Sequence, residues 1–135
     1  MIDNLVSGTA LTGRQLTILV ITGAVLWFIA AMLLRVLGPT GIYEGSARVW
    51  LYVLVIPGTW PFVALTVRVA GLAVDQKAIA LAIVTGTAIL IDGVALAWLP
   101  WIYGDSVELV AAAGAVILWG AGVALALGLA LNKRV

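Results

Sequence analysis

Four long apolar segments, separated by short polar stretches, constrain the fold of this chain more than any other feature. They cover residues 16–38, 49–73, 78–99 and 107–131. Roughly 20 helical residues, each rising about 1.5 Å, cross the ~30 Å hydrocarbon core of a bilayer. Only 10% of the residues are charged and the mean hydropathy is +1.23, too apolar a composition for a domain surrounded by water. We therefore predict one all-α domain over residues 1–135, a four-helix transmembrane bundle.

Proline and serine positions add detail to two of these helices. Pro57, Gly58 and Pro61 interrupt the second apolar segment. Proline kinks a helix, and a bilayer tolerates this where neighbouring helices cover the freed carbonyl groups. We therefore expect a bent second helix packed inside the bundle. Ser106 directly precedes the fourth segment and is expected to cap that helix.

Basic and aromatic residues predict the orientation of the bundle. One predicted side carries Arg14, Lys77, Lys133 and Arg134, and the other carries Arg48. Because cytoplasmic loops are enriched in Lys and Arg, we expect a multi-pass protein of the bacterial inner (plasma) membrane with both termini in the cytoplasm. The outer boundary would then hold an aromatic belt. Its members are Trp50, Trp98, Trp101 and Tyr103.

The amino-acid composition excludes several classes of chemistry. The chain has no Cys and no His, so disulfides, thiolate nucleophiles, His-ligated haem and most zinc sites are ruled out. A Ser-His-Asp triad is equally impossible. The net charge is +1, which provides no basic surface for nucleic acid. We therefore expect a protein that is not an enzyme, with no metal and no cofactor.

Asp92 is the residue most informative about function. It lies well inside the third apolar segment, where an ionised group costs at least ~2.5–3.5 kcal/mol without a partner. Asp92 lies about 12 Å and Arg35 about 5 Å below the predicted outer boundary. Since an arginine side chain can extend several ångströms along its helix, we predict an intramembrane ion pair between Arg35 and Asp92. Thr85, Ala88 and Ala95 share the face of Asp92 at helical spacing.

Two interpretations of Asp92 remain open. As a structural latch, it stabilises the bundle through its partner. As a proton or cation site, it lies in the cavity of a transporter. We favour the latch, because a transporter normally lines its path with more polar residues than one Asp and a few Thr.

The fourth segment carries two rows of small residues. Gly120, Ala124 and Gly128 form the first, and Gly122, Ala126 and Ala130 form the second. Such rows allow helix backbones to approach closely in membranes. The first row is a candidate helix-packing interface, and contact within the chain or with another chain is equally compatible with the pattern.

Four short stretches of the sequence are distinctive when taken together: Gly23–Gly38, Pro61 followed by Arg68, Ile91–Gly93 and Leu118–Gly120. With them the chain resembles an uncharacterised family of small bacterial four-helix integral membrane proteins. The resemblance covers most of the chain and implies the same architecture, with Arg35 and Asp92 as parts of a shared pattern. The family is one of unknown function, so the resemblance implies no activity.

These observations lead to two expectations for function. The first is a non-catalytic small membrane protein, an accessory or structural subunit that packs in a larger membrane complex or with copies of itself. The alternative is a small proton-coupled transporter or exporter that uses Asp92. The expected surroundings are the lipid bilayer and other membrane subunits, without nucleic acid.

Overall fold

The computed structural model describes residues 10–132 of the chain. Within that range it contains four α-helices and no strand. The helices are α1 (Gly13–Leu37), α2 (Gly45–Ala70), α3 (Lys77–Trp98) and α4 (Val107–Leu131). All four are long and apolar enough to cross a membrane. The prediction of an all-α, four-helix membrane protein is confirmed.

Local hydrogen bonds explain where the first two helices begin and end. α1 begins earlier than predicted because Thr12 and Gln15 form a reciprocal capping box. α2 ends earlier than predicted, at Ala70, and is followed by Gly71, whose left-handed φ of 61° suits a residue without a side chain. α2 also runs through Pro57 and Pro61 without a break. The bend expected at these prolines stays a prediction.

The predicted cap of the last helix is confirmed. The Ser106 side chain accepts a hydrogen bond from the Leu109 backbone at 3.2 Å. Short 3₁₀ turns precede the second and fourth helices, at Gly38–Thr40 and Pro100–Ile102.

The third helix, and not the second, occupies the centre of the bundle. α3 packs along both α1 and α4, whereas α2 packs on α4 and α1 and scarcely touches α3. In the most apolar stretch of each helix, 33% of the residues are buried in α3 and 11% in α2. The expectation that the proline-containing helix packs inside the bundle is therefore wrong. Both prolines and most of its large apolar side chains are exposed on the lipid-facing surface.

Glycine brings α1 and α3 into backbone contact. A Cβ atom on Gly23 would lie 2.7 Å from the Val84 carbonyl oxygen and 2.8 Å from the Thr87 Cβ. These distances are shorter than any real contact of that kind, so a larger residue would push the two helices apart. The two helices are therefore fitted tightly at this level.

The two ends of the bundle differ in composition. At one end, here called the terminal end, Gln15 donates to the backbone oxygens of Ala70 and Gly71, and Asn132 accepts from the Ala78 backbone. This end gathers the start of α1, the α2–α3 loop and the end of α4. The opposite end, the loop end, holds the α1–α2 and α3–α4 loops.

The outer surface is apolar on every helix. Large exposed side chains include Val36, Val49, Leu90 and Leu118. In water such a surface would promote aggregation, whereas in a bilayer it contacts lipid tails. The buried interior forms one apolar cluster near the loop end, including Ala31, Ala95 and Tyr103, and a second near the terminal end, including Leu19 and Ala80.

Candidate functional site

The predicted ion pair between Arg35 and Asp92 is not formed. The Arg35 guanidinium instead lies 2.7 Å from a carboxylate oxygen of Asp105 and donates to the Trp101 backbone oxygen at 2.9 Å. The Arg35 and Asp105 side chains are 35% and 76% exposed. Arg35 thus forms its ion pair with Asp105 at the loop end, where neither charge has to be fully buried.

Asp92 is held by a tyrosine. The Tyr103 hydroxyl donates to Asp92 Oδ1 at 2.5 Å, and the same hydroxyl accepts from the Trp27 indole N–H at 2.9 Å. The three side chains come from α1, α3 and the loop that follows α3. We call this hydrogen-bond chain, Trp27–Tyr103–Asp92, the indole–phenol–carboxyl chain. It joins α1 to α3 beneath the loop end.

Tyr103 was assigned to the outer aromatic belt, and the structure places it in the core. Its side chain is 1% exposed, whereas Trp50, Trp98 and Trp101 are each more than 60% exposed. Burial, together with the hydrogen bond to Asp92, raises the pKa of the Tyr103 phenol above its ordinary value. The phenol therefore keeps its proton and remains a donor to Asp92.

A cavity of about 410 Å³ lies between the four helices, and Asp92 is part of its wall. Almost all of the lining is apolar. The walls include Trp27 and Leu34 of α1, Val55 and Val63 of α2, Val84 and Ala88 of α3, and Val116 and Gly120 of α4. Because α2 stands away from α3, the space between these two helices remains open. The cavity is a direct consequence of that uneven packing.

The cavity opens sideways, through a gap between α1 and α2 that we call the mouth. The lining residues that are exposed at the surface all belong to these two helices. They are Ala30, Leu33 and Leu37 of α1, and Leu54, Gly58 and Phe62 of α2. The lining residues of α3 and α4 are buried or half-buried. The mouth therefore faces the hydrocarbon region of the bilayer.

Few polar groups reach the cavity. The hydroxyls of Thr59 and Thr66 donate to carbonyl oxygens of their own helix. Thr85 lines the cavity two turns from Asp92 and makes no side-chain hydrogen bond to any described residue. Asp92 Oδ2 likewise has no hydrogen-bond partner among residues 10–132. The cavity thus offers one carboxyl group and one hydroxyl group to a bound molecule.

The residues predicted to share the face of Asp92 do lie around it. Thr85 and Ala88 line the cavity with it, and Ala95 is buried one turn beyond. The predicted partner, Arg35, was wrong. A cavity beside Asp92 belonged only to the less favoured of the two interpretations. An acid inside an apolar segment was the sequence signal that led to this site.

The two small-residue rows of α4 face in different directions. Gly120 and Ala124 line the cavity, and Gly128 is buried against Leu81, whose side chain would lie 3.1 Å from an added Cβ. The first row therefore faces the interior of the bundle, and only Gly128 in it packs closely against another helix. Gly122, Ala126 and Ala130 form the second row and are exposed.

The chain matches no family model, no curated protein and no solved structure at a significant level.

Proposed function

We propose that this chain is a non-catalytic membrane transport protein that takes a lipid-soluble substrate into the intramembrane cavity and couples its movement to protonation of Asp92. The observation that carries the proposal is that Asp92 lines an open cavity with one carboxylate oxygen free of partners. Of the two interpretations of Asp92, the cavity favours the transport site over the latch.

The surroundings of Asp92 suit a group that exchanges a proton. Its one hydrogen-bond partner in the described residues is a neutral phenol, and the nearest arginine along α1 is occupied by Asp105. An ionised carboxylate without a basic partner is unstable at membrane depth. It gains stability either by taking a proton or by binding a positively charged group. Exchange between these two states would couple substrate movement to a proton gradient.

Reconstituted vesicles test the proposal. Vesicles loaded with a pH-sensitive dye would be challenged with a panel of cationic, neutral and anionic lipid-soluble compounds under an imposed pH gradient. We expect at least one compound to drive proton movement with the wild-type protein and not with Asp92→Asn. Glu108→Gln is the matched control, because Glu108 is an exposed acid in the first turn of α4, outside the cavity. Equal proton movement with wild type and Asp92→Asn, or none with any compound, would refute transport.

The proposal includes an inner-membrane location with both termini in the cytoplasm. Its support is the charge distribution, since Arg14, Arg68 and Lys77 lie at the terminal end. Lys133 and Arg134 extend this count in the sequence but lie outside the described residues. Because the chain has no Cys, the single variants Thr40→Cys and Asp75→Cys can each be labelled with an impermeant maleimide in intact cells. Labelling at Thr40 alone is expected, and labelling at Asp75 alone would reverse the orientation.

A second candidate function is that of an accessory subunit, in a larger complex or in a homo-oligomer. The exposed row Gly122, Ala126 and Ala130 on α4 favours it, because small lipid-facing residues allow another helix to approach. A Gly122→Cys variant should form a disulfide between copies if the row is a homo-oligomer interface. Ala64→Cys, exposed on α2, is the control. Purification in mild detergent, with mass spectrometry of co-eluting proteins, would reveal a larger complex, and a free monomer without crosslinks would refute both forms.

A further inference from the structure

We infer that the substrate of this cavity is a monovalent organic cation with an apolar body, which enters from the bilayer through the mouth between α1 and α2. This inference deepens the proposed transport function and rests on it for its biological meaning. The binding site itself can be tested without any transport. The inference rests on the position of a single carboxyl group, that of Asp92, inside an apolar cavity that opens to lipid.

The position of the mouth indicates where the ligand comes from. Every surface-exposed lining residue belongs to α1 or α2 and is apolar. A strongly hydrated ion or sugar would lose its water at such an opening without compensation. A molecule already dissolved in the bilayer crosses it at little cost. The ligand therefore partitions into lipid before it binds.

The negative charge of Asp92 in the cavity wall indicates the sign of the ligand's charge. Asp92 is the one charged residue that lines the cavity in the part of the chain the structure describes. A cation that reaches Asp92 neutralises the carboxylate, and both groups then avoid the cost of an isolated charge at membrane depth. An anion would add repulsion to the same cost. A cation is therefore selected over an anion of equal size.

The single carboxyl group also limits how much charge the ligand carries and to which chemical class it belongs. Calcium takes six to eight oxygen ligands and magnesium six, whereas this cavity presents one carboxyl and the Thr85 hydroxyl. The remaining wall is aliphatic or aromatic. Its volume of about 410 Å³ falls within the ~300–1,000 Å³ of small-molecule sites. An apolar body with one positive charge matches both the volume and the wall.

Binding of two ions of equal shape and opposite charge tests the inference directly. Tetraphenylphosphonium and tetraphenylborate would be titrated against the full-length protein in nanodiscs of neutral lipid. We expect the wild-type protein to bind the phosphonium at least about tenfold more tightly than Asp92→Asn does, equivalent to ~1.4 kcal/mol. The borate should bind no more tightly to the wild type than to Asp92→Asn, because the carboxylate repels an anion. Glu108→Gln should bind both ions like the wild type.

A second pair of variants tests the route without touching Asp92. Ala30→Trp places a bulky ring at the mouth, and Ala64→Trp places the same ring on the exposed surface of α2 away from the cavity. The phosphonium should bind more slowly to the first variant and at the wild-type rate to the second. Equal rates in the two variants would refute the lateral route.

The outcomes separate this inference from the transport proposal. In one result, the phosphonium binds in a way that depends on Asp92 while no proton movement is seen in vesicles. That result would support the cation-binding site and refute the transport proposal. The opposite result is proton movement that depends on Asp92 together with equal affinity for both ions in every variant. It would support the transport proposal and refute the inference that the substrate is a cation.

Discussion

Replacing Tyr103 with Phe tests the indole–phenol–carboxyl chain. The change removes one hydroxyl, which donates to Asp92 and accepts from Trp27. The ring of Phe fits the same space, so the substitution leaves only the small volume of one hydroxyl group empty. Any loss of stability therefore reports on two hydrogen bonds. The side chain is 1% exposed, so water cannot easily replace them.

The expected loss follows from the size of such bonds in membranes. Hydrogen bonds between transmembrane helices contribute about 0.6 kcal/mol on average and up to about 1.7 kcal/mol each. Leaving a buried donor or acceptor unpaired costs about 1–3 kcal/mol in soluble proteins. For the two bonds of Tyr103 we expect the free energy of unfolding to fall by roughly 1–3 kcal/mol. This free energy can be measured by unfolding the protein in detergent micelles that contain a rising fraction of dodecyl sulfate. Circular dichroism monitors the loss of helix.

Tyr43 provides a matched control for this experiment. It is also buried near the loop end, at 8% exposure, but its hydroxyl lies 3.5 Å from the Leu34 backbone oxygen, at the limit for a hydrogen bond. Tyr43→Phe should therefore change the unfolding free energy by less than about 0.5 kcal/mol. Equal unfolding free energies for the two variants would show that the indole–phenol–carboxyl chain does not stabilise the bundle.

Three further predictions concern other contacts. Asp92→Ala should destabilise the fold by about 1 kcal/mol more than Asp92→Asn, whose amide oxygen still accepts from the phenol, and equal unfolding free energies would contradict this. Gly23→Ala should cost about 1–3 kcal/mol because its Cβ meets the α3 backbone. Gly122→Ala, with open space around it, should leave the unfolding free energy unchanged or raise it by up to about 1 kcal/mol, since alanine favours a helix more than glycine does. Asp105→Asn should cost under about 1 kcal/mol because its ion pair is largely exposed; a loss that is larger, or that does not shrink with added salt, would indicate a buried pair.

The number and extent of the helices could be predicted from the sequence because the membrane sets both. A crossing needs roughly 20 apolar residues, and four such segments stand apart in this chain. The Ser106 cap was predictable for a similar reason, since it depends on neighbours in sequence. The cavity-facing side of α3 followed from helical spacing alone.

The partners of Asp92 could not be predicted in this way. Depth along a helix gives the height of a side chain but not the direction in which the whole helix faces. Arg35 and Asp92 were paired by height, while the fold of the α3–α4 loop brings Asp105 to Arg35 and Tyr103 to Asp92. A tyrosine next to exposed tryptophans also looks interfacial in sequence. Its burial depends on how the loop turns back over the bundle.

The uneven packing of α2 separates the size of the mouth from the geometry of the hydrogen bonds around Asp92. The indole–phenol–carboxyl chain joins α1, α3 and the α3–α4 loop, and none of its members lies on α2. The mouth, by contrast, has α2 as one of its two edges. A shift or substitution of α2 can therefore resize the opening while the polar interior around Asp92 keeps its geometry. In a transport protein of the kind proposed, changes in α2 alone could alter which molecules are admitted while the hydrogen bonds around Asp92 are kept.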